Sequence, residues 1–177
     1  MTVEEWAVKI AEEVSPVETD FAPLWAEAFV KGGKDRQELF TRSNAQASAF
    51  LPGDFIPMLP VILKALAFAA PTLIAVLTSE FTGKFLDVVK NGLAFGEVVG
   101  KGKALLSEEP HAGAKPPAAP EAVYEKLNEI MTKLDKEVRA LGLNKTKRDR
   151  INLIVLRLLL ENPPDATRFI NQLTKSK

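Results

Sequence analysis

The chain has no cysteine and a single histidine, His111, in 177 residues. The first absence excludes disulfides, thiolate zinc sites, Fe–S clusters and cysteine nucleophiles together. The second excludes most histidine-built metal sites and nearly all Ser–His chemistry. There is also no charge of one dominant sign: 23 Lys and Arg stand against 23 Asp and Glu, so no global field draws the chain to nucleic acid. No stretch alternates apolar and polar residues long enough to make a strand, and no repeat with a period of about 20–50 residues is visible. What remains is an ordinary globular composition, 46% apolar and 26% charged, which excludes general disorder and coiled-coil-only or collagen-like chains.

The sharpest change along the chain is Ser107–Pro120, SEEPHAGAKPPAAP, with four prolines, four alanines and almost nothing to bury. Such a run favours an extended spacer. It divides the sequence into residues 1–106, the 107–120 linker and residues 121–177. Up to Pro120 there are 11 basic and 15 acidic residues; beyond it there are 12 and 8. Nine of the ten phenylalanines and both tryptophans lie in the first part. Two chemically distinct modules of opposite charge are therefore expected, and that charge favours their docking on each other.

Helix signals dominate both parts. Thr2-Val-Glu-Glu5 is a capping box, followed by Val3, Trp6, Ile10 and Val14 at helical spacing. Ser15-Pro16-Val-Glu18 repeats the signal with proline where its missing N–H costs nothing. Phe21, Leu24, Trp25 and Ala28 read as the buried stripe of the next helix, with Pro23 able to delay its start and Gly32-Gly33 ending it. Asp35-Arg-Gln-Glu38 opens a third helix carrying Leu39, Phe40, Ala47 and Phe50. Leu73, Leu77, Phe81, Phe85 and Val88 form a further stripe, with Glu80 and Lys84 spaced as an i, i+4 pair. After the linker, three helices are expected: about Glu121–Leu141 stopped by Gly142, about Asn144–Glu161 ended before Pro163, and one starting near Asp165. The fold class is all-α, an N-terminal helical bundle around a very apolar central helix, a Pro/Ala spacer and a small C-terminal three-helix module.

Catalytic patterns are scarce. His111 sits in the spacer, where no packed wall could hold it. Glu4/Glu5, Glu12/Glu13 and Glu108/Glu109 are adjacent pairs, and neighbours on a helix point about 100° apart, so their carboxylates do not converge for acid–base work. No Asp-x-Asp-x-Asp run offers converging oxygens to a cation. Gly96-Glu-Val-Val-Gly100-Lys-Gly-Lys103 resembles a phosphate loop, but its glycine spacing is one residue short and Gly102 stands where the magnesium-binding hydroxyl belongs. The chain is expected not to be an enzyme, with no catalytic residue, cofactor, metal or small-molecule substrate.

Two segments point instead to association. Phe55–Leu77 has one charge, Lys64, in 23 residues. As a straight helix it would rise about 34 Å, enough for a hydrocarbon core of about 30 Å, with Phe55, Ile62, Leu66, Phe68 and Leu73 as the membrane-contact residues. Pro57 and Pro60 fit an opening turn, but Pro71 removes an internal hydrogen bond. That leaves Val61–Ala70, a length more typical of a central core helix with Lys64 snorkelling to water. Gly92, Gly96 and Gly100 at i, i+4, i+8 would let a second helix approach closely, although the flanking charges there are unsuited to lipid.

The second segment is Asn144–Glu161. Leu153, Leu156 and Leu160, with the apolar residues between them, wrap nearly the whole helix, and a 57-residue module cannot easily cover it. The N-terminal module, a second copy or a partner must pack there. Lys145, Lys147, Arg148 and Arg150 crowd the start of the same helix, where cations oppose the macrodipole. A protein partner or homo-oligomer meeting these leucines and this basic cluster is the expected function. The alternative is a membrane-active protein inserting through residues 55–77. The basic cluster lacks the aromatic residues and recognition helix of a nucleic-acid binder, so nucleic acid is not an expected partner. The acidic N-terminus, with four glutamates and one lysine up to Val14, fits neither a signal nor a transit peptide; the expected location is cytoplasmic, with membrane association attached to the alternative.

Overall fold

The computed structural model describes residues 1–41, 57–95 and 121–175. Among them are eight α-helices and no strand: α1 (Val3–Val14), α2 (Ala22–Lys31), α3 (Gly33–Thr41), α4 (Met58–Leu77), α5 (Thr82–Phe95), α6 (Glu121–Val138), α7 (Lys145–Glu161) and α8 (Pro163–Lys175). Short 3-10 turns cover Pro16–Phe21 and Arg139–Leu141. Several expected features lie outside the described residues: Ala47, Phe50, Phe55, Gly96, Gly100, the Gly96–Lys103 loop, His111 and the 107–120 spacer.

Local signals account for many helix ends. The Thr2 hydroxyl accepts from the Glu5 amide at 3.2 Å, and the Glu5 carboxylate accepts from the Thr2 amide at 2.8 Å, completing the capping box. Asn144 caps α7 by accepting from the Lys147 amide at 2.9 Å. Gly142, with φ +66°, occupies the left-handed region that stops α6 and its terminal 3-10 turn. The Leu73-to-Val88 stripe is interrupted at Thr78–Phe81, so α4 and α5 are separate helices. Thr82 Oγ1 donates to the carbonyl oxygens of Val76 and Ser79 at the break. Glu80 and Lys84 form no ion pair; Lys84 lies over the Phe81 ring, 5.4 Å from its centroid.

The Val61–Ala70 helix bounded by Pro71 is corrected to a helix of 20 residues that runs through Pro71. Pro60 stands in the first turn, where the missing N–H is one of the unsatisfied four anyway. Pro71 falls on the exposed side of α4.

α4 is the centre of the molecule. It buries thirteen of its twenty residues and packs against α1, α2, α5, α6 and α8. Its exposed residues between the ends, Lys64, Phe68, Pro71 and Ala75, form a single narrow stripe. By length and composition α4 is able to cross a membrane, with mean hydropathy 2.0 over its most apolar window, and 67% of that window is buried inside the fold.

The division at 107–120 is a division of the chain but not of the core. One hydrophobic cluster contains Trp6, Leu63, Leu66, Leu73, Leu127, Leu134, Leu156 and Phe169 alike. Trp6 of α1 stacks on Phe169 of α8 with ring centroids 5.3 Å apart. Opposite net charge does not organise this union. Lys64–Glu137, Lys90–Glu161 and the N-terminal amine with Asp165 join a cation of the acidic half to an anion of the basic half; among the described residues only Arg157–Glu13 runs the other way. Burial of apolar surface holds the halves together.

Candidate functional site

The leucines expected to meet a partner are inside the chain's own core: Leu153, Leu156 and Leu160 are 3%, 2% and 4% exposed. α7 packs against α1, α5, α6 and α8. Of the three coverings open to this helix, the N-terminal half supplies the missing one through α5 and α1. These residues therefore offer no surface to a partner in this fold, a correction with a plain cause: the module expected to be too small is not a separate unit.

Half of the basic cluster is also structural. Lys145 Nζ reaches the buried Asp149 carboxylate at 2.6 Å. Arg148 donates from Nε to Asp135 at 2.7 Å and from a terminal nitrogen to the Leu143 carbonyl at 2.5 Å. Arg139 holds the other Asp135 oxygen at 2.8 Å. Burial pushes the Asp135 carboxyl up, but hydrogen bonds and charge from Arg148 and Arg139 outweigh it and leave the group below the usual aspartate range. These cations stitch the end of α6 to the start of α7. Lys147 and Arg150 stay exposed, without an ion pair among the described residues.

Of the membrane-contact set, Ile62, Leu66 and Leu73 are buried in the bundle, and Phe68 is 45% exposed. Phe68 belongs to an open cleft of about 330 Å³ where α3, α4, α6 and α8 meet, lined by Arg36, Lys64, Ala67, Phe68, Glu137 and the last turn of α8. Lys136 lies over the Phe68 ring at 5.0 Å, and Lys64 over Phe40 at 5.7 Å. Lys64 is neutralised by Glu137 at 2.8 Å. The cleft's one hydroxyl, Thr174, does not donate to its one carboxylate, Glu137, but to the Asn171 carbonyl at 3.0 Å. Among the described residues no group of three or more metal-ligating side chains converges either.

The anomaly lies on α2. The apolar stripe expected to be buried points outward instead. Leu24 is 63% exposed, Phe21 46%, and Val17, one turn earlier, 64%. The buried positions are Ala22, Ala26 and Phe29. α2 packs on α1 and α4 through Ala22, Ala26 and Phe29, the two alanines allow a close approach, and Leu24 is left on the other side. Trp25 is half-buried and stacks on Phe21, with centroids 5.6 Å apart and planes 19° from parallel.

A buried acid fixes this corner. Glu18 lies between Val17 and Phe21 and is only 1% exposed. Its two carboxylate oxygens accept the backbone amides of Met58 and Leu59 at 2.7 and 2.8 Å, the first two amides of α4. The carboxylate thus satisfies orphan donors and meets the positive end of the helix dipole. Burial nevertheless dominates and raises the Glu18 carboxyl above its ordinary range, against the two backbone bonds and the Ser15 hydroxyl that lower it. In sequence, Ser15-Pro-Val-Glu18 reads as a local capping box. The true partners of Glu18 lie 40 and 41 residues away, and nothing in local spacing signals them.

Compared with known protein families, curated proteins and solved structures, the chain matches none, so its function has to be read from surface chemistry.

Proposed function

We propose that this chain is a non-enzymatic helical interaction module that binds a protein partner through the outward stripe of α2 and the turn before it: Val17, Phe21 and Leu24, flanked by Trp25. One observation carries the reading. α2 buries Phe29 together with its two alanines but leaves Leu24, and Phe21 at its N-cap, in water, where burying them too would remove more apolar surface from solvent. Contiguous exposed apolar residues with aromatic members are the usual composition of a binding hot spot. The surface is also preorganised, because Glu18 ties its turn to α4 and Phe21 is stacked on Trp25. Little conformational freedom is left to lose on binding.

The test is Leu24→Glu in the full chain. Its side chain is mostly in water, so the fold is retained by circular dichroism, while complexes captured by cross-linking in cells of the source are lost. Complexes that survive unchanged would refute the surface.

A second reading has one specific observation behind it, the apolar length of α4. In a membrane-active protein α4 would leave the bundle and insert, with lipid replacing the contacts of Ile62, Leu66 and Leu73. This reading expects the protein to resist a carbonate wash of pelleted membranes, and expects Ala67→Lys to abolish that retention. Complete release by carbonate would exclude insertion.

A further inference from the structure

We infer that the partner of the α2 stripe is a cationic amphipathic helix, an inference that rests on the docking surface proposed above and adds the chemistry of its occupant. The stripe is a ridge. Phe21, Leu24 and Ala28 follow one another at spacings of three and four residues along one face of α2, and the exposed Val17 precedes them on the 3-10 turn. At about 2.0 Å per residue in the 3-10 turn and 1.5 Å in α2, they extend over roughly 20 Å. That matches three to four turns of a helix lying alongside, which contacts such a row through its own i, i+3, i+4, i+7 positions.

The charge around the ridge is one-sided. From Ile10 through Val30 there is no lysine or arginine, while Glu12, Glu13, Glu18, Asp20 and Glu27 fall in that span. Two of these acids are already engaged: Glu18 is buried on α4, and Glu13 is paired with Arg157 at 3.0 Å. Asp20 and Glu27 are exposed and make no ion pair among the described residues. Lys31, the next cation, is held by Asp35 at 2.6 Å and feels Glu27 more weakly. With about 100° per residue, Asp20 and Glu27 fall on one flank of the ridge and Trp25 on the other. A docking helix therefore meets an apolar row, an aromatic flank and a carboxylate flank.

This asymmetry separates the occupants. A second copy packed antiparallel would set Asp20 and Glu27 against their own counterparts, and one packed parallel would set them against Trp25; neither arrangement supplies a cation. An anionic lipid surface is repelled by the same carboxylates. A helix with lysine or arginine beside its apolar face satisfies all three features.

The test uses a fluorescently labelled synthetic amphipathic helix of leucine and lysine, and a twin with glutamate at every lysine, titrated by anisotropy into the full chain. The lysine peptide is expected to bind, with affinity falling as salt rises. Binding should drop at least about tenfold in Leu24→Glu and several-fold in the double variant Asp20→Asn, Glu27→Gln, and the glutamate twin should not bind. Equal binding of both peptides, or no loss in the double variant, would overturn the cationic class while leaving the docking surface standing. A dimer dissolved by Leu24→Glu in light scattering would overturn it in favour of a second copy. Leu24-dependent capture by phosphatidylserine vesicles would overturn it in favour of lipid. The docking reading fails separately, if the cross-linked complexes of Leu24→Glu match those of the unaltered chain.

Discussion

Replacing Glu18 by alanine tests how the corner is held. The carboxylate is 1% exposed and accepts the Met58 and Leu59 amides at 2.7 and 2.8 Å. Alanine leaves both donors without an acceptor in a site closed to water, at about 1–3 kcal/mol for each buried donor. It also removes a buried carboxylate, whose desolvation returns part of that cost. The expected net loss is about 2–4 kcal/mol in urea denaturation. Glutamine keeps one acceptor and removes the charge, so Glu18→Gln is expected to fall within about 1 kcal/mol of the unaltered chain.

The pH dependence has a definite sign. The folded carboxyl titrates above its ordinary value of 4.5, so the folded state takes up a proton that the unfolded state releases. The contribution of Glu18 is fully present below 4.5 and is lost as pH rises through the folded value. The penalty of Glu18→Ala should therefore be larger at pH 5 than at pH 7. An alanine variant within about 0.5 kcal/mol of the parent would refute the clamp, and a penalty that shrinks on acidification would show that the amide bonds to Glu18 outweigh its burial.

Two further outcomes follow from the packing. Leu156→Ala, at a position 2% exposed, should cost about 2–5 kcal/mol as a core cavity and leave the mass in light scattering unchanged; a change of mass at full stability would return α7 to the surface. Arg148→Ala leaves Asp135 with Arg139 alone and should cost about 2–4 kcal/mol near neutral pH. Because the folded carboxyl of Asp135 is lowered from 3.8, its stabilisation is present above that value and is lost as pH falls through the lower folded value. The Arg148→Ala penalty should shrink at strongly acidic pH, as read by denaturation across that range.

Much of the architecture was legible in the sequence because it is written locally. Thr2 and Glu5, Asn144 and Gly142 act within three or four residues, and the helix ends they set lie where spacing places them. Pro71 misled because the cost of an internal proline depends on which side it faces, a tertiary property. Leu153, Leu156 and Leu160 misled for a related reason: an apolar helix needs cover, but spacing does not say whether that cover is another part of the same chain. Ser107–Pro120 marks a change in composition, and composition carries no information about whether the flanking helices share a core.

The candidate site was the least legible part. Phe21, Leu24 and Trp25 were visible as a stripe, and a stripe is ordinarily buried. The reversal comes from Ala22 and Ala26, whose small side chains let α2 sit close to its neighbours, and from Glu18, whose hold on Met58 and Leu59 fixes the turn that enters α2. Both depend on α4 being adjacent.

The most direct measurement on the central claim is Leu24→Glu, read by urea denaturation and by cross-linking side by side. A side chain 63% in water should change stability by no more than about 0.5 kcal/mol, while the cross-linked complexes disappear. A stability loss of about 2 kcal/mol or more would show that this face of α2 is core after all, and complexes that persist at full stability would show that it is not where the partner binds.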